Sequence, residues 1–208
     1  EFVNNEIRKG ETLLLPDRIK DPIQENVELF FNHFGRYYYA MKRLAVSNQD
    51  VVVDASCGCG YGSCGLAKKA VRVYGLDVNE SYLQIAKDNF RFPNLEFMDY
   101  ESFYRIHTKA DKIICIETFE HISRERGIFF LTRLISCLQN TGSMFLTTPL
   151  GTDGPSEYNP FHYFEPSIGT LYSILGMHFG NVQIEVDTFT NSFGHVSEFA
   201  SVLLRNKK

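Results

Sequence analysis

From residue 51 the chain alternates short runs rich in β-branched residues with runs of helical spacing: "VVVDA", "GLAKKA", "VRVYGLD", "ESYLQIAKDNF", "LEFM", "KIICIE", "RGIFFLTRLISCL" and "SMFLTT". A strand that is followed by a helix before the next strand cannot turn back as a hairpin. Successive strands therefore lie parallel, and the helices cover both faces of the sheet. The expected fold class is α/β, with strands that read as continuous apolar runs because both of their faces are buried. In the last third, "FGNVQIEV" and "FASVLLR" predict a further strand pair joined by a tight antiparallel return at a sheet edge.

Ahead of residue 50, "IQENVELFFNHFGRYYYAMKRLAV" has helical spacing and many aromatics, and between Pro149 and Pro166 lies a Gly/Pro/Asn-rich stretch without periodicity. No repeat, low-complexity tract or linker interrupts the chain. We expect one domain over residues 1–208: an N-terminal helical cap over 1–49, a ligand-binding core over 50–148, and a loop with the C-terminal sheet edge over 149–208.

The 208 residues, 44% hydrophobic and 22% charged, suit one globular domain with a sizeable core. A net charge of −4 supplies no global field to gather phosphate backbones, which argues against a nonspecific nucleic-acid binder. No apolar stretch reaches the roughly 20 residues of a membrane span, and "EFVNNEIRKGE" lacks the layout of a signal peptide, so a cytoplasmic location is expected. The five cysteines include Cys57, Cys59 and Cys64 among glycines without two CxxC pairs; small buried thiols are expected rather than disulfides or a zinc site.

"VVVDASCGCGYGS" places Gly58, Gly60 and Gly62 between a strand and a helix, where missing side chains let a ligand lie against the backbone. Two features narrow the ligand. The spacing is GxGxG rather than the GxGxxG of dinucleotide folds, and Asp54 ends the strand just ahead of the glycines. A carboxylate there repels a pyrophosphate, whereas S-adenosylmethionine has no phosphate and carries an ammonium and a sulfonium. The same two features disfavour a nicotinamide-dependent dehydrogenase. Asp77, 19 positions after Gly58, ends the second strand where an acid can accept both ribose hydroxyls, with Val78 beside it. Asp99, followed by Tyr100, ends the third strand and could accept the adenine amino group beneath a covering ring. Each acid taken singly is commonly a helix cap or turn residue, but three at successive strand ends point to a ligand.

Together "VVVDASCGCGYG", "YGLDVNESYLQIAKDN", "FMDYESF", "ADKIICIETFEHI" and "LQNTGSMFLTTP" resemble the ordered motifs of class I S-adenosylmethionine-dependent methyltransferases, over about residues 50 to 150. The resemblance implies a Rossmann-like, seven-stranded, mostly parallel sheet with the donor across the carboxyl ends of its first strands. It departs at Ser56, where the family usually has Gly or Ala, and at Thr141, which replaces the first glycine of a Gly-Gly turn. A narrower likeness, carried by "GETLLLPDR", "HFGRYYYA" and "NPFHYFEPS", resembles a methyltransferase group linked to glycan and surface-polysaccharide synthesis and implies a hydroxyl-bearing acceptor. In "HFGRYYY", His33, Arg36 and Tyr37 could close over the donor, with Arg36 pairing its carboxylate; the alternative is an aromatic stripe used for packing.

In this architecture the fourth strand delivers "ETFEHI" beside the transferred methyl. A helical turn beginning there would put Glu117, Glu120 and His121 on one face. Paired with the later "HYFE", this run also resembles the small-RNA 3′-terminal 2′-O-methyltransferases. That resemblance implies a divalent ion held by Glu117, Glu120, His121 and His162, with Mn²⁺ or Fe²⁺ fitting the mixed ligands better than Mg²⁺. Two readings stay open: that ion, lowering the pKa of an acceptor hydroxyl, or a metal-free cluster in which Glu117 contacts the donor, Glu120 orients His121, and His121 or His162 is the general base. His107, His178 and His195 are expected on the surface or in loops.

The function these readings favour is O-methylation of a sugar or other hydroxylated small-molecule or glycan acceptor. The alternatives are the metal-dependent RNA 3′-terminal methyltransferase and a noncatalytic S-adenosylmethionine-binding partner, the latter opposed by the intact ETFEHI and FHYFE clusters.

Overall fold

The computed structural model describes residues 24–190 and 196–208. The "GETLLLPDR" stretch and His195 lie outside the described residues, as does the side chain of His33. In chain order the elements are α1 (Gln24–Arg43), β1 (Val51–Ala55), α2 (Tyr61–Ala67), β2 (Arg72–Leu76), α3 (Glu80–Asn89), β3 (Leu95–Met98), α4 (Tyr100–Arg105), β4 (Ala110–Ile116), a 3₁₀ turn (Phe119–His121), α5 (Arg124–Ser136), β5 (Leu138–Pro149), α6 (Ile168–Gly176), β6 (Phe179–Thr190) and β7 (Val196–Lys207).

The seven strands form one sheet in the order β3-β2-β1-β4-β5-β7-β6. Strands β1 to β5 run parallel, and β7 is antiparallel to both neighbours, β5 and β6. This is the Rossmann-like class I methyltransferase fold. The C-terminal pair forms as its patterns predict, with the returning strand β7 inserted next to β5 so that β6 becomes the edge.

Neighbouring residues on one strand point to opposite faces. Val53, Ile113, Cys115, Met144 and Leu146 therefore enter the core with Phe103, Leu131, Leu134 and Leu171. Val52, Ile114, Phe145 and Leu203 face Leu66, Ala67, Tyr37, Ala40 and Met41 from α1 and α2. Burial of both faces explains the unbroken apolar runs. Strand β5 begins earlier than "SMFLTT": Leu138 pairs with Ala110 and Ser143 with Lys112, so residues 139–142 bulge out of the ladder. Thr141 is exposed in that bulge, which accommodates its side chain in place of a glycine.

Several helix starts are capped by a side chain just ahead of them. The Asn79 side chain accepts from the Ser81 and Tyr82 amides at the head of α3, and Ser167 accepts from Thr170 N–H at the head of α6. Strand order reverses between β1 and β4, and the crevice at their carboxyl ends is where ligands bind in open parallel sheets. Among the described residues, no helix is long and apolar enough to cross a membrane.

Candidate active site

Strand β1 runs into a loop whose backbone is left-handed at Ser56 (φ 63°), Gly58 (φ 54°) and Gly60 (φ 86°). Gly60 caps α2, and a Cβ there would lie 2.7 Å from both the Ala86 Cβ and the Phe97 ring. Only glycine adopts this conformation at this closeness without strain. Ser56 occupies a position that favours glycine, and its hydroxyl lies 3.0 Å from the Tyr100 hydroxyl, a local contact that holds it there.

Asp54 differs from the sequence expectation. Its carboxylate is fully buried and turned into the protein, where Tyr37 Oη donates to it at 2.9 Å and Ser63 Oγ at 2.5 Å. Burial pushes its pKa up to about 7, against the lowering effect of those two hydrogen bonds. Asp54 braces the loop from behind, and its oxygens are committed to protein hydroxyls rather than offered to a ligand's cation. Tyr37 reaches it by crossing Gly62, where any Cβ would sit 2.1 Å from the tyrosine ring. The thiols of Cys57 and Cys59 are buried, and burial pushes the latter up to about 11, so both are protonated and unreactive near neutral pH.

Asp77 is 5% exposed at the end of β2. One carboxylate oxygen accepts the Gly58 N–H at 2.8 Å and the other the Asn79 N–H at 2.9 Å. It ties the glycine loop to β2, and each oxygen keeps a second lone pair for a hydroxyl donor. Beyond it opens a cavity of about 570 Å³ lined by Val78, Leu83, Met98, Asp99, Tyr100 and Phe130, among others. Its volume fits an adenosine, with Val78, Leu83, Met98 and Phe130 as apolar surface and Glu80, Lys87, Glu101, Ser102 and Arg133 as polar surface. Asp99 is exposed at the cavity's rim but serves first as the cap of α4, accepting from Ser102 N–H and Oγ. Those bonds, led by the hydroxyl, hold its pKa below the usual value. The capping alternative is thus realised at Asp99. Tyr100 is a wall of the cavity, packed edge to face on Phe130 with centroids 5.5 Å apart.

At the mouth of β4 the expected single helical face does not form. Glu117 is left-handed (φ 47°), and only residues 119–121 make a 3₁₀ turn. Glu117 Oε1 accepts the Thr147 hydroxyl at 2.7 Å, and its other oxygen lies 3.8 Å from Arg36. Glu117 is therefore absent from the cluster its resemblance implies, because its backbone turn directs the carboxylate to β5 and α1. Arg36 pairs with Glu117 and lies over the Phe199 ring.

The other three expected ligands do converge. Glu120 is 1% exposed, accepts from Thr148 Oγ1 at 3.2 Å, and has its second oxygen 3.8 Å from His121 Nε2. His121 Nδ1 faces the Phe161 carbonyl at 3.0 Å, and His162 Nδ1 faces Glu165 Oε1 at 2.7 Å. A carbonyl and an ionised carboxylate only accept, so each neutral imidazole carries its proton on Nδ1 and its lone pair on Nε2. Glu120, His121 and His162 each offer a ligand atom within 4.8 Å of the others, a set that fits a divalent ion and equally a shared acceptor proton.

Sequence reasoning missed Thr147 and Thr148, which orient Glu117 and Glu120. Their signal is a pair of hydroxyls ending an otherwise apolar strand. It also left Glu165 without a role, and considered Tyr37 for closure over the donor or for packing but not as the hydroxyl that donates to Asp54. His107 is exposed and His178 half-buried.

Residues 52–142 match the family described as a methyltransferase domain. Over 78 residues the chain is 33% identical to an uncharacterized RNA methyltransferase of Listeria innocua, covering 38% of this chain and 16% of that protein. It is 28% identical over 101 residues to a ubiquinone biosynthesis O-methyltransferase of Coxiella burnetii, covering 47% and 42%. The matches thus span less than half the length of these curated relatives. The fold also superposes on magnesium protoporphyrin IX methyltransferase of Synechocystis with bound S-adenosylhomocysteine, at a TM-score of 0.60 and 19% identity, covering 95% and 90% of the two chains. The matched segment spans the glycine loop, Asp77 and the ETFEHI turn.

Proposed function

We propose that this protein transfers the methyl group of S-adenosylmethionine to a hydroxyl of a sugar or similarly polyhydroxylated acceptor. The observation that carries this reading is the convergence of Glu120, His121 and His162 at the adjacent exits of β4 and β5, on the methyl side of the crevice. S-adenosylmethionine supplies an activated methyl, so the protein has two tasks: align an oxygen with it and take that oxygen's proton. Gly58, Gly60 and Asp77 hold the donor's ribose end, and Val78, Met98 and Tyr100 enclose its base. His121 or His162, each with its lone pair on Nε2, accepts the hydroxyl proton, and the buried Glu120 carboxylate stabilises the imidazolium that results.

One further observation favours a divalent ion at the same three residues. Both histidines have Nδ1 fixed by an acceptor, the outer-shell arrangement that orients metal-binding imidazoles. Mn²⁺ or Fe²⁺ suits such nitrogen and oxygen ligands better than Mg²⁺, and its charge would lower the acceptor hydroxyl's pKa.

Calorimetry with S-adenosylhomocysteine, followed by tritiated methyl transfer to a panel of glycosides, tests the activity. Binding without transfer to any hydroxylated compound would leave a donor-binding partner in place of an enzyme. Loss of transfer on chelation with restoration by Mn²⁺ selects the metal form; indifference to chelator selects the base pair.

A further inference from the structure

We infer that the acceptor is an unphosphorylated, non-anionic ring compound, and that Tyr158 is the platform on which it rests. This deepens the proposed O-methylation and rests on it. The first observation is electrostatic. Between Arg133 and Arg205 there is no Lys or Arg, while Asp153, Glu157, Glu165, Glu185, Asp187 and Glu198 are all acidic. That stretch contains the whole of β5 and the loop that carries His162. Among the described residues, Arg36 lies beside Glu117 and over Phe199, and Arg124 lies over the Phe164 ring. A phosphate approaching the loop that carries His162 would meet Glu157 and Glu165, both of that loop, where phosphate sites place guanidinium groups, ammonium groups or clustered amides. A neutral sugar meets acceptors matched to its hydroxyl donors.

The second observation is the loop's construction. Ser156 N–H donates to the His162 carbonyl at 3.1 Å, and His162 N–H donates to the Asn159 carbonyl at 3.0 Å. The Asn159 side chain accepts from Phe161 N–H at 3.0 Å, and Ser156 Oγ accepts from Tyr158 N–H at 3.4 Å. The loop is fastened to the ETFEHI turn by Tyr163 and Phe164, whose N–H groups both donate to the Glu120 carbonyl at 2.7 and 3.2 Å. Tyr158 stands at the tip of this closed loop, 73% exposed, four residues ahead of His162. A large aromatic held out to solvent on a backbone pinned beside the reacting cluster offers a rigid, amphipathic face at little entropy cost.

The test uses the full chain saturated with S-adenosylhomocysteine, whose own binding is followed by calorimetry in every sample. Its loss would indict the donor assignment and not this proposal. The probes are maltotriose and chitotriose followed by saturation-transfer NMR, UDP-glucose followed the same way, and a short single-stranded RNA with a free 3′ end followed by fluorescence anisotropy. We expect saturation of a neutral oligosaccharide that falls about two- to tenfold in Tyr158→Ala and recovers in Tyr158→Phe. RNA should bind more weakly than about 10⁻⁴ M even at low salt. RNA or UDP-glucose bound in the micromolar range, with affinity falling as salt rises, would overturn the inference. So would oligosaccharide signals that are absent or indifferent to Tyr158→Ala.

Discussion

His121 and His162 meet edge to face, their ring centroids 5.0 Å apart and their planes at 74°, although one leaves β4 and the other follows β5. Adjacent parallel strands open onto the same crevice, so the pair shares one small volume with the Glu120 carboxylate. Replacing either histidine by alanine should lower turnover by about 10²- to 10⁴-fold, the usual contribution of a positioned proton acceptor, and leave S-adenosylhomocysteine affinity unchanged. Single-turnover rates beside calorimetry measure the two quantities separately. A variant that loses donor affinity in proportion to its rate would move the pair out of the chemical step.

Glu165 holds His162 by Nδ1 and should act as its positioning residue. Glu165→Ala is expected to cost about 10- to 100-fold in turnover, as loss of such outer-shell partners typically does. Glu165→Gln should recover part of it, because the amide oxygen still accepts the Nδ1 proton. A merely structural role would show instead as a lowered melting temperature with both variants equally active when folded.

Asp77 should bind the donor's ribose. Asp77→Ala is expected to weaken S-adenosylhomocysteine binding by about 1.5 to 3 kcal/mol, the range for hydrogen bonds to a charged group. The same residue accepts the Gly58 and Asn79 N–H groups, so denaturant unfolding is run alongside to separate loop disorder from lost ribose contacts. Donor affinity equal to wild type would remove the assignment.

Asp54 gives the protein a pH signature. Its pKa of about 7 in the folded state, raised by burial, stands above the 3.8 of the unfolded chain. The folded state therefore keeps a proton that the unfolded state releases, and stability from this group is full below pH 3.8 and lost as pH rises to about 7. The window corresponds to about 4 kcal/mol, and Asp54→Asn should flatten it. Urea midpoints across that range decide the matter; an unchanged slope in the variant would show that other groups carry the pH dependence.

Gly62 is required by a neighbour. Gly62→Ala places a methyl 2.1 Å from the Tyr37 ring and should destabilise by about 1 to 3 kcal/mol, the cost of overpacking. Displacing Tyr37 also removes a donor that lowers the Asp54 pKa, so the pH-dependent loss of stability should extend to higher pH. A neutral effect in chemical denaturation would mean that α1 shifts away freely.

The strand and helix alternation, the left-handed glycine loop and the acid at the end of β2 were legible because each is written in a local pattern. Period-2 and period-3.6 burial and the φ demanded of a turn are local properties of a segment. What each polar side chain touches is not local. Asp54 looked available to a ligand until α1 brought Tyr37 over Gly62 to occupy it, since a buried carboxylate takes whichever donors the packing supplies. Glu117 and Glu120 lie three residues apart and were expected on one face. A left-handed turn at Glu117 sends one toward Arg36 and Thr147 and the other toward Thr148 and the histidines. The residue types of the site were decided by the sequence alone. Their partners were decided only when β5 was laid beside β4, because sequence separation sets no limit on distance once a sheet has closed the loop between them.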